Sequence, residues 1–409
     1  MNGILSGLRV IEGSAFVAAP SAGMTLAQMG AEVIRFDPIG GGLDFGRWPV
    51  TGRGHSLYWA GLNKGKKSIA VDIRRPEGRE LLTRLIARPG DDGGIFLTNF
   101  PPRGWLAYDS LKVHRADLIM LNVQGNRDGS SEVDYTVNPA TGFPWLTGPT
   151  GHNTPVNHVL PAWDVATGLY AANGILAAER HRRLSGEGQF ISLALSDVAF
   201  ATLGHLGFIG ERQVNGAERD ATGNDLYGAF GRDFATRDGR RVMIVAITPR
   251  QWTALVETAG IADGVEEIEA GSGLDLSREG DRYRATEEIA RLLAPWCAAH
   301  DFDGLARRLN EGGVAWGPYQ TVGEALAQDW RCSKRNPMFQ DVEQPGIGRY
   351  LAPGTPLEFG AVPRQPVRPA PLLGQHTDEV LAELLGLSSG EIGRLHDEGI
   401  VAGPSRADA

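Results

Sequence analysis

Cysteine is almost absent from this chain, which has Cys297 and Cys332 and no others in 409 residues. Two unclustered thiols exclude a disulfide framework and a cysteine-based zinc site. The histidines, among them His55, His152, His158, His181, His205 and His376, show no HxxxH or HExxH spacing, so no metal is expected. Excess positive charge is missing too. A formal charge of −9 argues against nucleic acid as a partner and gives no reason to invoke a membrane surface. No apolar run reaches transmembrane length, and MNGILSGLRVIEG at the start lacks the apolar region of a signal peptide. These absences predict a cytoplasmic location. Two catalytic signatures are also missing: no GxGxxG follows the first strand, and neither Ser14 nor Ser196 sits in a GxSxG elbow. NAD binding and serine hydrolysis therefore have little support.

What remains is ordinary α/β composition, 42% apolar and 22% charged, with a generous 55 glycines and enough length for two domains. Short apolar runs at Leu8–Glu12, Glu32–Phe36, Ser68–Asp72, Ile95–Asn99, Leu118–Val123 and Gln189–Ser196 read as buried strands. Helical patterns separate several of them, one from about Ser21 to Met29 and another opening near Pro76. Alternation of this kind predicts a mostly parallel sheet covered on both faces. Such sheets bind ligands at their strand carboxyl ends, here Gly13–Ala18, Asp37-Pro38, Asp72–Arg75, Asn99–Arg103 and Gln124–Arg127. Residues 125–160, rich in Gly, Pro, Thr and Asn, read as an extended loop. A second unit starts after the polar stretch Asn215–Gly223, with a strand at Arg241–Ile247 and helices near 251–258, 284–298 and 302–310. Val342–Gly374 is proline-rich and reads as a long arm, and two short helices, Asp378–Leu385 and Ser389–His396, close the chain.

The most informative stretch is Pro161–Gly188, PAWDVATGLYAANGILAAERHRRLSGEG. Asp164 is a lone acid where an N-cap would sit, ahead of Val165, Leu169, Ala172 and Leu176 at helical spacing. Arg180–Arg183 crowd the far end, and Gly186 and Gly188 end the run. A plain capping aspartate is the ordinary reading. The alternative is a nucleophile, held ionised by helix N–H groups, on a helix whose Ala and Gly content lets something approach closely.

Basic residues recur near the predicted strand ends and turns: Arg35, Lys64, Lys66, Lys67, Arg74, Arg75 and Arg103. They form either a solvated face or a phosphate cradle, with Arg74 and Arg103 the best candidates for the latter. Gly223–Asp233 (GNDLYGAFGRD) reads as a mobile flap or a surface hairpin.

Several stretches together resemble the class III CoA-transferases: LSGLRVIE with APSAGMTLAQMGAEVIRFDP, NKGKKSIAVDIRRPEGRELL, TNFPP, the Asp164 helix with RLSGEGQ, LYGAFGRDF, RDGRRVMIVAITPRQW and LLGQHTDEVLAELLGL. EGSAFVAAP, WAGLNKGK and YGAFGRDF are most similar to its 2-methylfumaryl-CoA isomerase branch, the mesaconyl-CoA C1–C4 CoA transferases. The resemblance implies an α/β fold with a Rossmann-like large domain built from both chain ends, a smaller α+β middle domain and an interlocked homodimer. On that scheme residues 1–210 begin the large domain, 224–330 form the small one, and 331–409 are the arm and helices that return. It puts the family's aspartate nucleophile on Asp164. CoA contacts fall on Val17, Ala18, Pro38, Val71, Asp72, Ile73, Arg74, Asn99, Phe100, Pro101, Asn126 and Arg127. The arginine many relatives carry after the Asn-Phe motif is Ala107 here, which makes Arg103 its substitute, and Pro38 cannot supply the charge some relatives have there. CoA enters as part of the substrate, with no tightly bound cofactor expected. The implied reaction moves CoA between the two carboxylates of an unsaturated C5 dicarboxylate through an aspartyl-CoA thioester. Intermolecular CoA transfer is the alternative. A racemase ranks lower, because Ser130, Ser131 and Glu132 stand where racemases carry a histidine, and a non-catalytic CoA binder would need none of this chemistry.

Overall fold

The computed structural model describes residues 3–405. The chain divides into two compact units, one of 1–141, 159–210 and 330–409, the other of 142–158 and 211–329. Residues 142–158 thus fall with the middle of the chain rather than with the segments on either side of them.

The first unit is built on a seven-stranded sheet. Its parallel strands are β1 (Arg9–Gly13), β2 (Glu32–Asp37), β3 (Lys67–Val71), β4 (Ile95–Thr98), β5 (Ile119–Gln124) and β6 (Phe190–Ala194). They lie in the order β3-β2-β1-β4-β5-β6, and Val401–Ala402 adds an antiparallel edge beside β3. Successive strand residues point to opposite faces, so each strand feeds two cores. Ile11, Ile34, Phe36, Phe96 and Met120 pack on one face against the helix Pro76–Ile86 and the C-terminal helix Thr377–Leu385. Their neighbours Val10, Val33, Ile95, Leu97, Ile119 and Leu121 face the other way, against Ala18–Gln28 and Ala162–Ser185. Burial on both faces explains why these strands read as near-continuous apolar runs. Both ends of the chain therefore build one doubly wound α/β sheet, as the resemblance implies.

Two stretches expected to be irregular carry regular structure. Within 125–160 a helix spans Asp134–Ala140, started by Thr136, whose hydroxyl accepts the Val133 N–H at 3.1 Å. Pro139 disguises it in the sequence, yet it sits in the last turn, where the helix is already ending. The arm after 331 contains an antiparallel hairpin, Phe339–Gln344 with Gly348–Pro353, before the extended proline-rich run. The first helix also begins earlier than expected, at Ala18 rather than Ser21, because Pro20 suits a first helical turn.

The second unit holds an antiparallel sheet of β7 (Phe230–Ala235), β8 (Arg241–Ala246) and β9 (Ala315–Pro318). Phe230, Phe234, Val242 and Ile244 pack there against Trp252, Leu255, Ile289 and Leu293. Gly223–Asp233 lies in this unit and is tied to itself: Arg232 forks onto Asp225 with both bonds at 2.6 Å, and Leu226 donates to the Gly231 carbonyl at 2.9 Å. Among the described residues, no helix is long and apolar enough to cross a membrane.

Candidate active site

Asp164 does not cap its helix. The helix spans Ala162–Ser185 with Pro161 before its first residue, so Asp164 is the third helical residue. The capping acid is Asp134, thirty residues earlier in the chain, whose Oδ2 accepts the N–H of Trp163 at 2.8 Å and of Asp164 at 3.1 Å. These are the donors an N-cap side chain would normally take. Asp134 is itself buried. No hydrogen bond reaches the Asp164 carboxylate among the described residues. The expectation that helix N–H groups hold it ionised is therefore corrected, since those groups are spent on Asp134. Burial raises the Asp164 carboxyl, the negative Asp134 raises it further, and Arg47 pulls it down, leaving it near 7.

Asp164 opens into a cavity of about 700 Å³ at the carboxyl ends of β1, β4 and β5. That is a volume suited to a small-molecule site. In the order β3-β2-β1-β4-β5-β6 the chain reverses its direction of travel between β1 and β4, the place where doubly wound sheets leave a crevice. Asn99 bridges that crevice, donating to the Ala15 carbonyl at 2.8 Å and accepting the Ala15 N–H at 3.0 Å. The next residue, Phe16, lies in the left-handed region at φ 70°, uncommon for a residue with a side chain. Its N–H is held by Asp44 Oδ2 at 3.1 Å. Asp44 in turn belongs to a buried charge cluster, in which Arg35 bonds Asp37 and Asp44 at 2.9 Å and Lys66 bonds Glu12 at 2.7 Å.

The cavity gathers Asp164 with Val17, Ala18, Asn99, Phe100 and Pro101. The other predicted CoA contacts lie outside its lining. Pro38, Val71, Asp72, Ile73, Arg74, Arg103, Asn126 and Arg127 follow the carboxyl ends of β2, β3, β4 and β5, along the same sheet edge. Arg74 is highly exposed and folds back on Asp72 at 2.9 Å, Arg127 pairs with Asp197 at 2.8 Å, and Asn126 bonds Ser130 at 3.0 Å. Arg35 and Lys66 are fully enclosed by their carboxylate partners, so they are fold components and leave the list of phosphate-cradle candidates. Lys67 is taken up by Glu32 and Glu379.

Among the lining residues that sequence reasoning missed are Arg47, Tyr58 and Asp134. Arg47 sits in a glycine-rich loop with no periodicity to mark it. Its guanidinium stacks on the rings of Phe16 and Tyr58, 5.3 and 5.2 Å from their centroids. The Tyr58 hydroxyl is raised to about 12 by burial, more than Arg47 lowers it. No group of residues that could hold a metal occurs among the described residues.

The sequence pattern of the CoA-transferase family III matches residues 5–377. The chain belongs to that family. It is an enzyme, and its substrates carry CoA. It is 64% identical over 408 residues to the 2-methylfumaryl-CoA isomerase of Chloroflexus aurantiacus, covering 100% of both chains. The succinyl-CoA:mesaconate CoA-transferase of Haloarcula hispanica is 28% identical, with 93% of this chain and 96% of that one covered. Among solved structures, a CAIB/BAIF family protein from Brucella suis superposes with a TM-score of 0.77 at 26% identity, covering 94% of this chain and 100% of that one.

Proposed function

We propose that this enzyme moves CoA between the two carboxylates of one unsaturated C5 dicarboxylate, converting 2-methylfumaryl-CoA to 3-methylfumaryl-CoA. The single observation that carries the proposal is the half-buried Asp164 carboxylate, free of hydrogen bonds among the described residues and facing a cavity at the sheet's switch point. Identity of 64% across the whole of a 2-methylfumaryl-CoA isomerase supports the choice of substrate.

Asp164 attacks the thioester carbonyl carbon, the C–S bond breaks, and CoA thiolate leaves behind a mixed anhydride. The thiolate then attacks the Asp164 carboxyl carbon and breaks the anhydride, giving aspartyl-CoA and a free dicarboxylate. The other carboxylate attacks the same carbon and expels thiolate again. Attack of that thiolate on the new acyl carbon frees Asp164. No net proton or oxidant is required, and each intermediate is an activated acyl group, so the steps are shallow. A carboxylate starved of hydrogen bonds is a better nucleophile than a solvated one, provided it is ionised, and a carboxyl titrating near 7 is about half ionised at neutrality.

CoA lies along the sheet edge in this reading, with Asn99, Phe100 and Pro101 on its acyl side and Arg74, Arg103 and Arg127 toward its phosphates. The enzyme works as a homodimer, which light scattering would test. Retention of the acid distinguishes isomerisation from ordinary transfer. A dicarboxylate trapped beside aspartyl-CoA reacts at an effective concentration of about 10⁵–10⁸ M, beyond any free acid. Isotopically labelled free mesaconate, added during turnover of unlabelled 2-methylfumaryl-CoA, should stay out of the product. Rapid entry of label would return the enzyme to intermolecular transfer.

A further inference from the structure

Arg47 is the one cationic side chain among the described residues that line the Asp164 cavity. Three acids share that lining: Glu132, Asp134 and Asp164. A dicarboxylic acyl group brings one more negative charge, its free carboxylate, into a space whose fixed charges otherwise repel it. Arg47 forms no ion pair with a carboxylate among the described residues, so its fork is not already occupied. Its position is constructed. Phe16 and Tyr58 stack on the guanidinium, the Arg47 N–H donates to the Asp44 carbonyl at 3.1 Å, and the Arg47 carbonyl accepts the Ser56 hydroxyl. Asp44 also holds Phe16 in its left-handed conformation, so one buried residue fixes the ring through its carboxylate and the segment that carries the arginine through its carbonyl.

The geometry points to Arg47 as the specificity-determining residue that holds whichever carboxylate of the substrate is not engaged with Asp164. This rests on the reading of Asp164 as the nucleophile. A guanidinium presents two parallel N–H donors to a carboxylate, and stacking on two rings fixes the plane of that fork. During the transfer the two ends of the acid exchange places. Arg47 therefore takes the C4 carboxylate in the first half and the C1 carboxylate in the second, acting as the pivot of the reorientation. A monocarboxylic acyl-CoA leaves the guanidinium without its partner and is selected against.

The test compares 2-methylfumaryl-CoA with 2-methylcrotonyl-CoA, in which a methyl replaces the free carboxylate, in wild type, Arg47→Met and Arg47→Lys. Formation of the Asp164 acyl species is read by quench and peptide mass, which both substrates can report. The wild type should favour the dicarboxylic substrate. In Arg47→Met its KM should rise about 10-fold to 150-fold, the worth of a charge-assisted hydrogen bond. Labelling from 2-methylcrotonyl-CoA should fall far less, because that substrate loses only the pull of Arg47 on Asp164, and Arg47→Lys should fall between. Undiminished discrimination in Arg47→Met overturns the assignment. So does an equal loss on both substrates, which would make Arg47 merely structural. If wild-type enzyme turns over but labels Asp164 with neither substrate, the nucleophile reading has failed and the pivot falls with it.

Discussion

The Asp164 main-chain N–H donates to the carboxylate of Asp134 at 3.1 Å, so two acids thirty positions apart share one helix end. Asp134 receives the helix donors and Asp164 receives its repulsion. One acid thus satisfies the helix end while the other is left without a hydrogen bond to its carboxylate among the described residues. The division of labour between them is open to experiment.

kcat/KM for 2-methylfumaryl-CoA should rise with pH through about 7, because only ionised Asp164 attacks. Asp134→Asn keeps an oxygen for the Trp163 and Asp164 N–H groups but removes the charge that raises Asp164. Its profile should move to lower pH. A pH–rate series on both proteins checks this, and an unshifted midpoint would mean that burial alone sets it.

Asp134→Ala removes the acceptor as well as the charge. Loss of a helix cap costs about 0.5–2 kcal/mol, and here it also frees the turn that aims Asp164. Chemical denaturation should show that loss, and kcat should fall beyond what Asp134→Asn causes.

Raising a carboxyl from 3.8 to about 7 means that the folded state binds the Asp164 proton more tightly than the unfolded chain does. The stability this gives is complete below about pH 4 and is lost as pH rises through 7. Asp164→Asn, which cannot ionise, should therefore melt higher than wild type at pH 8 and equally at pH 4. The gap is bounded at about 4 kcal/mol by the size of the rise, and thermal melts across that range measure it.

Gly168→Ala sets two effects against each other. Alanine is favoured over glycine in a helix by about 1 kcal/mol. A Cβ there would lie 2.0 Å from Ser21 Oγ and 2.7 Å from the Ala18 carbonyl oxygen. The hydroxyl can turn aside, but the main chain cannot, so the clash should win by about 1–3 kcal/mol. Adding Ser21→Gly should restore only part of the loss in Tm.

Much of the fold could be read from the chain because its signals are local. RVIEG, EVIRFD and IMLNVQ are runs that feed a core on each face, Val17, Ala18 and Asn99–Pro101 follow from where such strands end, and Asp164 is marked by the helical spacing that follows it. What escaped depends on distant partners. Nothing local says that Asp134 would cap a helix thirty residues on, or that Arg35 and Lys66 would be enclosed by Glu12, Asp37 and Asp44 instead of facing phosphate. The small residues of the Asp164 helix were informative but ambiguous. They do admit a close neighbour, and at Gly168 that neighbour is the helix beginning at Ala18.

The most direct test of the aspartyl mechanism is borohydride trapping during turnover of 2-methylfumaryl-CoA, followed by peptide mass mapping. Borohydride reduces an aspartyl-CoA thioester to the side-chain alcohol with release of CoA, a permanent mark on whichever residue carried the CoA. The account predicts that mark on Asp164 alone, and its absence from Asp164→Asn. Reduction at Glu12, Asp72 or Asp134, or full turnover with no mark at all, would contradict it.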